Sequence, residues 1–406
     1  METLAASAGY SGVRPLWAEG KTDAKGLAIA TTHGQATVVE SFRQIASGCW
    51  EKTLVEQCQD RRYYEVIEET LCDEFEYRYA VLENKHSGAV VIQPMFIVMQ
   101  DITAGLPMRV RKGVLRIRQR FPNFLKMRIL MVGCAAGEGQ LDSQEPWAVE
   151  ALREAVEQYA RRIKASLILY KDIPSSYRES LSGLCKQGYT RTPSMPGASL
   201  PIDFENFEAY VQQKLSRIYR KGLRRKFRES EALGPLTLEV VHDVTPCLDE
   251  VYPLYLQTHN RSEFKFEVLT KEHLAQLGQQ MPDRMRFFLW RHKGRMVAFA
   301  MCMVRDETLY DLNVGMEYPI ALDLHMYFVT WRDIITWAID AKLKHYHTGP
   351  LNYDPKLHLR MNLVPLDLYA RHLSPLINPF FGLAMRYLQP VRYDATIRKF
   401  ANADKL

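Results

Sequence analysis

The chain has no Cys-x-x-Cys pair anywhere in its 406 residues. Its seven cysteines are odd in number and scattered, which excludes a zinc knuckle and a disulfide framework and suits a reducing compartment. Long apolar runs are also missing. The most apolar stretch, Ala89–Met99, is short and interrupted by Gln93 and Pro94, well below the roughly 20 apolar residues of a spanning helix. The opening Met-Glu-Thr-Leu-Ala-Ala-Ser lacks a basic region followed by an apolar core, so no secretory signal is expected and a cytoplasmic location is. Neither a dinucleotide fingerprint nor a P-loop is present, and no heptad hairpin appears. What remains is ordinary globular material, 47% hydrophobic and 25% charged, long enough for two cores. The net charge of +6 is modest, so the clustering of positive charge carries more information than its total.

Turn residues and apolar periods divide the chain into two similar halves. Residues 1–33, rich in Gly, Ala, Ser and Thr, read as a loose arm. Residues 34–202 give a strand, helices, a hairpin turning at Asn84–Gly88, a basic segment and a short strand at Ile129–Val132. A glycine-rich loop, Gly133–Gly139, then leads into a helix and another strand. Residues 203–372 repeat that order. A long basic helix, Phe204–Ala232, precedes a strand, two helices and a hairpin turning at His292-Lys293-Gly294. A strand at Thr308–Val314, a helix at Asp323–Ala341, a short strand at Lys344–Thr348 and an irregular segment with Asn352 and Lys356 complete it. Residues 373–406 form a helical tail. The repeated order points to an internal structural duplication.

Positive charge gathers in two places. In the helix 204–232, Lys214, Arg217, Arg220, Lys221, Arg224, Arg225, Lys226 and Arg228 follow one another with no acid between. Like charges one turn apart repel by a few tenths of a kcal/mol per pair, so a phosphate-bearing ligand is one reading and a solvated face the other. In Arg109–Arg128, basic residues alternate with Val114, Leu115, Ile117, Phe121, Phe124 and Leu125. That mixture suits an anionic membrane surface and equally a basic crossover packed on a core. The aromatic tail Leu373–Arg398 is either a second membrane contact or a docking helix. Gly137 and Gly139 let a backbone come close to an anion at a helix start, or simply make a tight turn.

Three stretches carry a family likeness: Lys214–Arg228; Gly294-Arg-Met-Val-Ala-Phe-Ala-Met with Leu309-Tyr310-Asp311 and Gly315; and His347-Thr-Gly-Pro-Leu-Asn-Tyr-Asp-Pro-Lys356. Together they resemble the GNAT-type acyltransferase domain of the Fem-like proteins, over roughly residues 200 to 370. The resemblance implies an α+β fold of two tandem GNAT-like αβα lobes with mixed, mostly antiparallel sheets. It also implies an enzyme that moves an acyl group from an activated thioester to an amine. The second half departs from the family in lacking the Gln/Arg-x-x-Gly-x-Gly/Ala phosphate loop of enzymes that use coenzyme A. Met316–Leu322 stands there instead, which speaks against coenzyme A held by that loop.

Aminolysis of a thioester requires a base for the attacking ammonium and a positive group for the tetrahedral oxyanion. His347 is the expected base, Lys356 the expected oxyanion stabiliser by resemblance, and Asp311 the residue that orients either, with Tyr353 beside them. Surface packing is the alternative for the histidine. His345 and His347 share a strand face, but no third ligand is at hand, so no metal is expected. Arg217, Arg220, Arg224, Arg225, Gly137 and Gly139 are the candidates for the donor's phosphates; Asn352, His325 and Tyr310 are those for substrate. No cofactor is expected to reside in the protein; acyl-CoA or an acyl carrier protein is the donor. The expected acceptor is a lipid amine such as a sphingoid base, as in the GNAT-like bacterial ceramide synthases. That fits a peripheral contact with an anionic inner membrane face. The other readings are a peptidyltransferase that uses aminoacyl-tRNA and a non-catalytic module that binds anionic polymers.

Overall fold

The computed structural model describes residues 26–101, 108–121, 126–262 and 266–406. Strands β1 (Leu27–Thr31), β2 (Gly34–Val39), β3 (Glu76–Asn84), β4 (Val90–Asp101), β5 (Lys126–Val132), β6 (Leu167–Pro174), β7 (Thr190–Pro193) and β8 (Gly197–Pro201) come from the first half. The second half supplies β9 (Leu236–Val241), β10 (Met285–His292), β11 (Arg295–Arg305), β12 (Thr308–Met316), β13 (His345–Thr348), β14 (Asn362–Val364) and β15 (Leu366–His372). They form two sheets, one eight-stranded in the order β1-β2-β3-β4-β5-β6-β15-β7 and one seven-stranded in the order β14-β8-β13-β12-β11-β10-β9. Each sheet contains one parallel neighbour pair, β5 with β6 and β12 with β13, among antiparallel ones. This is an α+β, two-lobed, mostly antiparallel architecture.

The sheets trade strands. β8, which leaves the first half, pairs with β13 and β14 of the second sheet. β15, from the second half, lies between β6 and β7 of the first. A single cut at residues 202–203 therefore does not separate the sheets. Three further expectations change. Within the presumed loose arm, residues 27–31 form β1, antiparallel to β2; residues 1–25 of that arm lie outside the described residues. The long basic helix is two helices, because Ser216 caps a new start by accepting from the Tyr219 amide. The irregular segment around Lys356 is a short helix.

The helices that matter below are α1 (Arg61–Thr70), α2 (Met108–Arg118), α3 (Pro146–Arg162), α4 (Phe207–Lys214), α5 (Arg217–Ala232), α6 (Leu248–Arg261), α7 (Lys271–Gln280), α8 (Met326–Asp340), α9 (Tyr353–His358) and α10 (Asn378–Leu388). Among the described residues no helix is long and apolar enough to cross a membrane. β11 shows why the central strands read as nearly continuous apolar runs. Phe299, Met301 and Met303 enter one core while Ala298, Ala300 and Cys302 enter the other, so both faces are covered. The β10–β11 hairpin turns on Lys293-Gly294, with φ of 50° and 81°, the left-handed pair a two-residue type I′ turn needs.

One core is common to both lobes. Tyr63, Tyr79, Phe96 and Met131 of the first half pack with Leu254, Leu274, Phe287, Phe299 and Met301 of the second. Polar contacts rim it. Arg284 reaches Asp60 at 3.0 Å and donates to the carbonyls of Gln57 and Cys58 at 2.8 and 2.7 Å. Arg62 holds Asp283 with two nitrogens, at 2.7 and 3.0 Å. Between α1 and α7, His273 Nδ1 lies 3.0 Å from Thr70 Oγ1, and burial pushes its pKa down to about 3, so it stays neutral. Replacing Arg284 by Ala leaves Asp60 and two carbonyls underpaired and is expected to cost about 3 kcal/mol. A denaturation midpoint that does not move would contradict this.

Candidate functional site

β12 and β13 run parallel for four residues, Thr308 to Asp311 against His345 to Thr348, and the pairing then stops. The antiparallel register between β11 and β12 slips at the same level. Met301 opposes Asn313 and Cys302 opposes Asp311, which leaves Leu312 as the extra residue of a bulge. Bulges re-aim side chains and end pairing; here one sits where the two parallel strands part.

Asp311 is half-buried beside this fork. The Tyr346 hydroxyl donates to its Oδ2 at 2.6 Å, and the Cys302 thiol lies 3.9 Å from Oδ1. Burial pushes its pKa up to about 6, against the lowering effects of the Tyr346 bond and of the positive charge of Lys356. Lys356, on α9, is only 5% exposed. Its Nζ donates to the Gly349 carbonyl at 2.6 Å and lies 5.6 Å from the Tyr353 ring. Burial brings its pKa down to about 8, with Asp311 opposing the fall. A carboxyl and an ammonium group thus sit in one dry region, each displaced toward neutrality by desolvation and each holding the other partly charged.

The connection that carries Lys356 is held in an uncommon shape. Leu351 and Asn352 both adopt left-handed backbone, with φ of 73° and 52°. Such a conformation costs about 1–3 kcal/mol for a residue with a side chain and persists where surroundings enforce it. The Lys356–Gly349 bond spans this turn and helps enforce it. Asn352 stands at the start of α9 without a side-chain cap bond. The Tyr353 hydroxyl is engaged, donating to the Pro196 carbonyl at 2.8 Å.

His347 lies elsewhere. Successive strand residues face opposite ways, so with Tyr346 turned to Asp311, His347 turns to the first lobe. There its Nε2 meets Glu138 Oε1 at 2.9 Å, and its ring lies 5.3 Å from that of Tyr310. The expected single cleft is therefore two clusters on opposite faces of the sheet: Asp311, Tyr346 and Lys356 on one, Tyr310, His347 and Glu138 on the other. Tyr346 and Glu138 were not among the sequence candidates. Alternation along His345-Tyr346-His347 could have set Tyr346 apart from its neighbours. Nothing in the sequence pairs Glu138 with a residue 209 positions away.

The other candidates are placed as follows. On α5, Arg217, Arg224 and Arg225 are exposed and Arg220 is half-buried. The run lacks acids of its own, but α4 supplies compensation. Arg224 pairs with Glu208, and Arg220 donates to Gln212 at 2.7 and 3.0 Å. His325 precedes α8 and contacts Glu229 of α5 at 2.9 Å. Gly137 and Gly139 belong to a loop closed on itself. A Cβ on Gly137 would stand 2.0 Å from Gln59 Nε2, and one on Gly139 2.0 Å from the Lys171 carbonyl. The Gly139 amide already donates to Asp172 O at 3.0 Å, so internal packing accounts for both glycines.

The fold is that of a GNAT-type domain. Residues 217–356 match the family model described as the acetyltransferase (GNAT) domain, from the first residue of α5 to Lys356. The chain accordingly carries a GNAT acyltransferase domain and is an acyltransferase. No curated protein sequence matches it. Among solved structures it is similar to FemX at a TM-score of 0.50, with 12% identity over 81% of this chain and 94% of that one. At that identity the likeness concerns the fold alone. L-PGS from Bacillus licheniformis is similar at a TM-score of 0.47, with 13% identity over 82% and 97% of the two chains. A tandem GNAT protein from the clavulanic acid biosynthesis pathway aligns at 0.43, with 10% identity over 78% and 88%.

The bond from Tyr346 to Asp311 stabilises the carboxylate. Tyr346→Phe is therefore expected to raise the Asp311 pKa above about 6 by about one pH unit, as loss of a hydrogen bond to a charged group of about 1.5 kcal/mol implies. Carbon-13 NMR of the aspartate carboxyls reads this directly; a midpoint that stays or falls would remove Tyr346 from the site.

Proposed function

We propose that the chain transfers an acyl group from a thioester to the amine of a lipid, such as a sphingoid base, with the chemistry at the fork of β12 and β13. The observation that carries this reading is the pairing of half-buried Asp311 with buried Lys356, because both titrate close to the working pH. In the reaction the acceptor nitrogen loses a proton and attacks the thioester carbonyl carbon. The carbonyl oxygen becomes an oxyanion, the carbon–sulfur bond breaks, and the thiolate leaves and is protonated. Asp311, as a carboxylate with a pKa near 6, takes the acceptor's proton. Lys356 remains protonated at neutral pH with a pKa near 8. Its charge is poorly solvated, so an adjacent oxyanion stabilises it more than water-exposed charges would be stabilised. His347, held by Glu138, and Tyr310 line the face toward the first lobe and contact the acceptor, with Asn352 at the turn. The base role is thus assigned to Asp311 rather than His347, because Asp311 is the group paired with Lys356.

The donor is acyl-CoA or an acyl carrier protein, and its phosphate is assigned to Arg217, Arg224 and Arg225 of α5, whose guanidinium groups are exposed. Arg220 braces that helix against α4. A lipid acceptor accords with basic and apolar residues presented together on the first lobe, and it places the enzyme at the inner membrane face. Turnover is measured by mass spectrometry of amide products, with the full chain given acyl thioesters and a panel of long-chain, amino-acid and peptidyl amines. A long-chain amide should form, and Lys356→Ala should lower turnover by about 10²–10³-fold per folded molecule, with the folded fraction read by circular dichroism. Amide formed only on peptidyl amines would redirect the acceptor. A fully active Lys356→Ala enzyme would overturn the site.

A further inference from the structure

The described surface carries large exposed apolar side chains in one helical stripe. Leu376, Phe380, Leu383 and Tyr387 are 83%, 75%, 69% and 60% exposed. The spacing of Phe380, Leu383 and Tyr387 aligns them along one side of α10, and Leu376 lies in the turn just before it. The opposite side is anchored. Phe381 and Met385 pack on the core common to both lobes, and Gly382 lies so close to β7 that a Cβ there would stand 2.5 Å from Thr190 Oγ1. The stripe is therefore presented by a fixed helix. Contiguous exposed apolar surface of this kind marks an interaction site.

The strand register shows what lies around it. His372 at the end of β15 pairs with Leu167 at the start of β6, Leu167 with Ile129 of β5, and Lys126 of β5 with Asp101 at the end of β4. The connection after β15, which is α10, and the connection from β4 to β5, which is α2, therefore emerge at the same end of the first sheet. The last turn of α3, just before β6, is there too. α2 and the turn after it add exposed Leu115, Ile117 and Phe121. Phe124 and Leu125 of the same basic segment lie outside the described residues.

Positive charge surrounds these apolar groups. Lys112, Arg116 and Arg120 are exposed on and after α2, and Arg161, Arg162 and Lys164 are exposed at the end of α3. On the α10 side Arg386 is exposed and the Arg392 guanidinium lies 5.3 Å from the Tyr387 ring. No acidic residue occurs from 102 to 137 or from 368 to 393. Apolar side chains bordered by exposed lysine and arginine, of which Arg161 also pairs with Glu157 at 3.7 Å, complement a surface that is apolar beneath and anionic above, which describes a bilayer bearing acidic lipids. A protein partner would have to supply the same layered chemistry.

We propose that this end of the first lobe is a membrane-docking face. The α10 stripe and the apolar groups of α2 enter the headgroup region of an anionic bilayer, and the surrounding cations lie against lipid phosphates. The proposal deepens the lipid-acceptor reading, on which its biological use rests, by fixing which face of the enzyme meets the bilayer.

The test is co-sedimentation of the full chain with vesicles of phosphatidylcholine alone or mixed with phosphatidylglycerol. The wild type should pellet with the mixed vesicles, less with the neutral ones, and less again as salt is raised. Phe380→Ser with Leu383→Ser should weaken partitioning about tenfold or more, since two large apolar contacts are lost. Because both side chains project into solvent, circular dichroism and melting should be unchanged. Lys112→Gln with Arg116→Gln should reduce the preference for the anionic vesicles. Lys356→Ala should bind vesicles like the wild type, so a failed acyl-transfer assay would count against the chemistry and not against this face. No vesicle binding by the wild type, or equal binding by the Phe380/Leu383 variant, would overturn the proposal. So would a wild-type dimer that those two substitutions dissociate, since the stripe would then join two copies of the chain.

Discussion

The parting of β12 and β13 just after Asp311 is the constraint on which the second lobe depends. Up to that residue the backbone groups of the two strands satisfy one another. Beyond it they need other partners, and the protein supplies them with a bulge at Leu312 and a turn tied by Lys356 to the Gly349 carbonyl. The side chains at the fork inherit a dry environment without being fully committed. Asp311 has a tyrosine donor and a thiol neighbour, and Lys356 has one carbonyl and the field of Asp311. Two ionisable groups pushed toward neutrality side by side are costly as structure and useful as proton and charge handlers.

The strand exchange explains why such a site is held firmly. β8 flanks β13 on the side away from β12, and β8 is itself joined through the Pro193–Gly197 connection to β7 of the other sheet. β14 and β15 repeat the arrangement in the opposite sense. Each sheet is thus closed by strands whose continuations belong to its partner, and relative motion of the lobes would have to disturb both. The common core and the Arg284–Asp60 contact act in the same direction. The His347–Glu138 contact crosses between the lobes at this junction, so the first lobe borders one face of the fork although the family match lies wholly in the second.

Much of this was legible in the sequence. Apolar β-rich runs and glycine-bearing turns located β3, β4, β10, β11 and β12, and the basic, hairpin and lysine segments carried the family likeness. Asp311 and Lys356 were candidates, and each acts on the other's charge. What stayed hidden was long-range. β8 and β15 are short, and nothing in five or seven residues states which sheet receives them. The break at Ser216 had a capping residue to announce it, but the continuous positive charge on both sides masked the boundary. The grouping of His347 with Lys356 failed because both lie near the end of one strand in sequence, whereas the pleat sends Tyr346 and His347 to opposite faces. The charge run on α5 looked unpaired because its partner Glu208 stands on a neighbouring helix.

The central claim is that acyl transfer depends on Asp311 as a carboxylate and Lys356 as an ammonium group. The most direct measurement is the pH dependence of kcat/KM with a simple amine acceptor, corrected for the fraction of acceptor present as free amine. As pH falls through the Asp311 value of about 6, the base becomes protonated and activity drops; as pH rises through the Lys356 value of about 8, the ammonium group is lost and activity drops again. A bell with limbs near those two values is expected, the lower limb absent in Asp311→Asn and the upper in Lys356→Met. A profile that is flat from pH 5 to 9, about one unit beyond each limb, or a bell that survives both substitutions, would contradict it.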